Sequence, residues 1–171
     1  MVLSGPPALK HAPVFRYSRF LRPMYEKVCD TELELMALMR EPVDWLGSWY
    51  RYRRRDDMAG HPNSTKDMSF DAFVQAYCAG EKPSYADVGD QAKFLRPHPS
   101  GCAVKHLFAY ESQNEWLAFL HEKLGQFAAL PVVNASPAME LVLSPETERK
   151  LKAKYAETFE LYDRVVQGKF S

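Results

Sequence analysis

Three side chains in this sequence have the types and spacing to do chemistry on an anion: Arg40, Ser48 and His11. Arg40 closes the short apolar run Leu35-Met36-Ala37-Leu38-Met39, and Glu41-Pro42 follows it. A run of that length, apolar on both faces, suits a buried strand of a parallel sheet, although its Met and Leu content also fits a helix. An Arg leaving such a strand stands at the carboxyl edge, where open α/β sheets bind ligands. The helix expected from Val43 to Arg55 would turn its amides and positive dipole end toward the same edge. Ser48, eight residues after Arg40, adds a hydroxyl. One guanidinium, one hydroxyl and a few amides make a small cradle for an oxyanion, and a phosphate ester is its natural occupant. His11, beside Lys10, is a candidate base.

The elements that must hold these groups follow from periodicity. Tyr17, Phe20, Leu21, Met24, Tyr25 and Val28 recur at helical spacing, with Pro23 placed to bend that helix or move its start. Ser69 caps a helix carrying Phe70, Phe73, Val74 and Tyr77, and a short helix is expected around Asp90 to Leu95. Ala103 to Tyr110 reads as a second strand. Ser112 to Glu115 is a capping box for a helix that runs through Leu124 to Gly125. Ser144-Pro145 opens a last helix with a buried stripe of Leu151, Tyr155, Phe159 and Tyr162, and with exposed pairs Glu146/Lys150 and Glu148/Lys152. Met1 to Pro13 is loop-like, and Leu130 to Pro137 is an irregular connection. This order predicts an α/β layer architecture in one domain.

Composition narrows the class further. The chain has 171 residues, 46% hydrophobic and 13% aromatic, enough to bury a core. Lys plus Arg and Asp plus Glu number 22 each, so the net charge is zero and no whole-chain field for nucleic acid exists. Mean hydropathy is −0.38, with no apolar run of spanning length and no secretory leader in the first residues. Cys29, Cys78 and Cys102 are widely spaced and free of CxxC patterns, which fits reduced thiols in a cytoplasm and no zinc site.

Taken in order, these stretches resemble a family, the sulfotransferases that use 3′-phosphoadenosine 5′-phosphosulfate (PAPS). Arg40-x7-Ser48, between a strand and Ser-Trp-Tyr, looks like their 3′-phosphate-binding motif. Val104 to Glu111, Phe119-Leu120 with Leu124-Gly125, Leu130-Pro131 with Asn134 to Pro137, Leu143 to Glu146 and Phe159 to Tyr162 resemble later signatures of the family. The resemblance spans roughly Lys10 to Tyr162. It implies a three-layer P-loop-like fold with a short parallel sheet. It also implies sulfuryl transfer from PAPS, as cosubstrate and without a metal, to a hydroxyl or amine acceptor. Arg40 and Ser48 would hold the 3′-phosphate and His11 would serve as base. Nothing matches the family's 5′-phosphosulfate-binding loop, so the first β-loop-α unit is expected to be missing: through a start downstream of the true one, a deletion, or completion of the site by another chain. Two alternatives accompany that expectation. One is a non-catalytic member binding an adenine nucleotide or a protein partner; the other is an interaction domain paired through an open strand edge.

The remaining groups have both a functional and a structural reading. Arg51, Arg53, Arg54 and Arg55 form either an edge for an anionic nucleotide or acidic glycan, or a solvated helix end neutralised by Asp56 and Asp57. His61 faces either acceptor or a surface turn. Asn134 and Ser136 bond nucleotide or shape a turn. Trp45, Trp49 and Tyr52 are read as core contacts.

Overall fold

The computed structural model describes residues 12–125 and 139–170. The chain is mixed α/β. A helical run opens it in three pieces: α1 (Val14–Arg16), a π-helical turn (Tyr17–Leu21) and α2 (Arg22–Val28). Strand β1 (Leu35–Met39), helix α3 (Pro42–Arg53), a 3₁₀ turn (Asp56–Met58), α4 (Phe70–Tyr77) and α5 (Gln91–Leu95) come next. Strand β2 (Val104–Ala109) and α6 (Gln113–Leu124) follow, and α7 (Pro145–Lys154) and α8 (Ala156–Val166) end it. Both expected strands form, and they pair in parallel with Met36 beside His106 and Met39 beside Ala109. The Tyr110 N–H donates to Met39 O at 2.8 Å, which brings the carboxyl ends of the two strands side by side.

Two apolar clusters support this frame. The first joins the sheet to the chain's beginning and end: Val14, Met39, Leu95, Val104, Leu107, Leu161 and Val165. The second lies under α3, α4 and α7, around Leu46, Tyr50, Phe73, Val74, Tyr77, Leu151 and Tyr155. Gly47 lies where the Leu141 side chain packs against α3; a Cβ there would meet Leu141 Cδ1, so that side chain would have to turn aside.

Four local expectations are corrected. The stripe Tyr17 to Val28 does not form one buried face. Pro23 has no N–H to give Arg19 O, and its ring crowds that carbonyl. The ladder widens just ahead of it, with Arg22 N–H reaching Tyr17 O. The extra residue in that turn rotates the face, so Tyr17, Leu21 and Tyr25 are half-buried while Phe20, Met24 and Val28 stand in solvent. The last helix is two. Tyr155 leaves helical geometry (φ −117°, ψ 33°), stacks on the Tyr77 ring at 4.5 Å and donates its hydroxyl to Tyr77 O at 3.0 Å. The break lets Leu151 and Tyr155 serve the second cluster while Leu161 and Val165 serve the first. Ser112 stands at the N-cap of α6 without lending its side chain, and Glu115 N–H bonds the Ser112 carbonyl instead. Of the two exposed pairs on α7, Glu148–Lys152 forms at 2.6 Å, and Glu146–Lys150 is not among the ion pairs of the described residues.

At the amino ends of the strands, the Glu34 carboxylate accepts from Lys105 Nζ and, at 2.8 Å, from His106 Nε2. These two donors hold its pKa down, from an ordinary value near 4.5 to about 2. A carboxyl whose pKa is depressed on folding adds stability above its unfolded pKa, and that stability is lost as pH falls through the folded value. Stability should therefore decline in part through Glu34 between about pH 4.5 and pH 2. Urea denaturation across that window, compared with Glu34→Gln, should give the variant the flatter profile.

Candidate functional site

Arg40 is placed by its backbone before its side chain does anything. Its N–H donates to Gln91 Oε1 at 3.0 Å, and its C=O accepts from Gln91 Nε2 at 2.9 Å. One amide side chain of α5 thus completes the strand's last position as a neighbouring strand would. Pro42 then starts α3 at once, its missing N–H costing nothing in the first turn. The turn keeps Arg40 at the carboxyl edge of β1, as the spacing predicts.

The side chains at that edge form one electrostatic unit. The Arg40 guanidinium donates through Nε to Asp44 Oδ2, and Arg51 Nη2 donates to Asp44 Oδ1 at 3.3 Å. The Tyr110 ring, from the end of β2, lies 4.9 Å from the Arg40 guanidinium carbon and covers its flat face. Asp44, Ser48 and Arg51 follow one another at four and three residues along α3, which puts them on one helix face. Arg40, Ser48 and Arg51 therefore come to the same side of the helix, with a carboxylate between the two guanidinia. Ser48 is half-buried in the second turn of α3, and no side-chain hydrogen bond occupies it among the described residues.

The helix opening contributes less than its dipole suggests. Pro42 has no amide proton, Asp44 N–H is capped by Glu41 Oε2 at 2.6 Å, and Trp45 N–H bonds Glu41 O at 2.8 Å. Of the first-turn amides, that of Val43 is left for a ligand. The expected group of several amides reduces to one, because Glu41 acts as an internal anion at the N-terminus. The end of β2 adds Glu111, which accepts from Glu41 N–H at 2.9 Å and from the Tyr162 hydroxyl at 3.0 Å. Burial, and then the bond to Glu111, push the Tyr162 phenol well above its usual range, so it remains a donor. An open depression of about 520 Å³ adjoins Glu41, lined by Lys152, Phe159, Glu160, Tyr162 and Asp163.

Other sequence candidates resolve differently. His11, Asn134 and Ser136 lie outside the described residues. His61 accepts from Asn63 N–H at 3.1 Å through Nδ1 and shapes an exposed turn. The arginine cluster divides, and two of its members, Arg53 and Arg54, are neither a ligand edge nor a solvated helix end. Arg53 is 8% exposed and donates to the Ser84 and Tyr85 carbonyls. Arg54 Nη1 reaches the carbonyls of Thr65, Lys66 and Met68. These two clamp the loops around α3, while Arg51 alone turns to Asp44. Trp45 and Trp49 pack against the second cluster as expected, whereas Tyr52 is 41% exposed under Arg55. The sequence reading missed Asp44, Gln91 and Tyr110. Asp44 carried a signal, four residues from Arg40 and seven from Arg51; Gln91 and Tyr110 act across 51 and 70 residues and carried none.

A cavity of about 790 Å³ opens at the opposite, amino end of the sheet; of its four cations Arg22 pairs with Glu26, Arg96 with Glu157 and Lys105 with Glu34, while Arg164 has no ion pair among the described residues. Among the described residues no cluster of His, Cys, Asp and Glu is arranged to hold a metal. No helix described is long and apolar enough to cross a membrane. Comparison with protein-family models, curated proteins and solved structures finds no match to this chain.

Arg40 and Asp44 are 27% and 41% exposed, so their pairing is a surface interaction worth at most about 1 kcal/mol. Replacing Asp44 with Ala should lower stability in urea by about 0.5–1 kcal/mol. The loss should shrink as salt is raised, which denaturation at two ionic strengths would measure.

Proposed function

We propose that this protein is a PAPS-type nucleotide-binding domain of sulfotransferase-like, P-loop-like α/β architecture. In this reading the 3′-phosphate seats between Arg40 and Ser48, with Arg51 as a second cation. The observation that carries the reading is the Asp44 carboxylate itself. Two guanidinia from a strand end and a helix already converge on one oxyanion, and the Ser48 hydroxyl, with no side-chain hydrogen bond among the described residues, shares their helix face. A phosphate ester bears up to two charges where Asp44 bears one, and it offers more acceptor oxygens to a fork of N–H donors. It can displace a carboxylate held only by exposed pairs.

The reaction proposed for a completed site is transfer of the sulfuryl group of PAPS to a hydroxyl or amine. In that step the acceptor oxygen or nitrogen bonds to sulfur, the bond from sulfur to the 5′-phosphate oxygen breaks, and the acceptor's proton passes to a base. His11 is the residue proposed as that base. The depression beside Glu41 holds Glu41, Glu160 and Asp163 against Lys152, an acidic balance that suits a neutral or basic acceptor over an acidic one. A second reading, a binder without transfer, is favoured by one observation: Glu41 caps the helix amide that a catalytic anion site would keep open.

Thermal denaturation with 3′-phosphoadenosine 5′-phosphate tests the binding. The nucleotide should raise Tm for the wild type and leave Arg40→Ala unchanged. Asp44→Asn, which removes the competing carboxylate, should bind about two- to fivefold tighter. An equal rise in wild type and Arg40→Ala refutes the site.

A further inference from the structure

We propose that the outer face of the N-terminal helical run, residues 14–28, is a docking surface for an anionic lipid bilayer. The π-helical turn creates this surface. Phe15 lies just before that turn and Phe20 within it, and Met24 and Val28 continue from Phe20 at steps of four. All four are exposed, at 48%, 64%, 44% and 78%, while Val14, Ser18 and Tyr17 face the protein. Large apolar side chains lined up in water along one helix are uncommon on a folded surface, and they mark a contact.

The charges beside the stripe identify the occupant. Arg16, Arg19 and Lys27 are exposed and have no carboxylate partner among the described residues, whereas Arg22 takes the run's one acid, Glu26, at 2.5 Å. A protein of zero net charge thus concentrates three uncompensated cations on a single helical run. Arg16 lies 6.0 Å over the Phe15 ring and Arg19 5.5 Å over the Phe20 ring, so cation and apolar surface are built as units. A linear stripe of Phe and Met flanked by arginines that snorkel past it matches the boundary between headgroups and acyl chains, with anionic headgroups drawing the cations. The run is far shorter than a membrane span, so the contact is peripheral.

Co-flotation with vesicles tests this on the whole chain. Binding to vesicles containing phosphatidylglycerol should exceed binding to phosphatidylcholine alone by about tenfold or more, and should weaken as salt is raised. Phe20→Glu should abolish it while leaving Tm unchanged, since that side chain touches little of the core. The double variant Arg16→Gln, Arg19→Gln should cost about tenfold on anionic vesicles and nothing on neutral ones. No binding to anionic vesicles, equal binding to both compositions, or full binding by Phe20→Glu overturns the proposal. So does a dimer in size-exclusion chromatography that Phe20→Glu dissolves, which would give the stripe to a second copy. Nucleotide binding at Arg40 should be the same in all these variants, so the two sites are judged separately.

Discussion

The Asp44 carboxylate, held between the guanidinia of Arg40 and Arg51, is the interaction on which the reading of this protein depends. It joins the end of β1 to the body of α3, and the Tyr110 ring, just past β2, lies against the Arg40 guanidinium. The same contact that aligns strand and helix therefore rehearses the binding of an external anion. Its partial exposure decides its character. A fully buried triad would be locked by the cost of desolvating unpaired charge. With Arg40 27% and Asp44 41% exposed, the pairing is weak enough to exchange for a better ligand.

Rigid parts surround that exchangeable centre. The Gln91 amide fixes the Arg40 backbone from the side opposite β2, and Glu111 fixes Glu41. Arg53 and Arg54 bind five carbonyls of neighbouring loops between them and hold α3 against the second cluster. What looks from the sequence like one basic patch is thus divided by function. Arg51 belongs to the anion unit, Arg53 and Arg54 are structural clamps, and Arg55 covers Tyr52.

Local pattern made much of this legible. The apolar run Leu35 to Met39 and the mixed alternation before Tyr110 identified both strands, since each depends on residues adjacent in sequence. Ser69 and Ser144 were readable as caps, and each does accept the expected amide at the start of its helix. The failures have longer-range causes. The break at Tyr155 arises from stacking on Tyr77, and no proline or glycine announces it. The π turn was half-announced by Pro23, yet its consequence, Phe20 and Met24 facing outward, follows from a phase shift that a regular period of 3.6 cannot contain. At the site, Arg40 and Ser48 were visible by spacing, whereas the carboxylate occupying the guanidinia was not, because an anion cradle and an internal ion pair require the same residue types.

Calorimetric titration with two nucleotides that differ only in the 3′-phosphate bears most directly on the central claim. 3′-Phosphoadenosine 5′-phosphate should bind at least about tenfold more tightly than adenosine 5′-phosphate, a charge-assisted contact being worth about 1.5–3 kcal/mol. Arg51→Met should shrink that ratio by loss of one of the two cations. Equal affinity for the two nucleotides, or a ratio unchanged by Arg51→Met, would contradict the assignment of this edge to a 3′-phosphate.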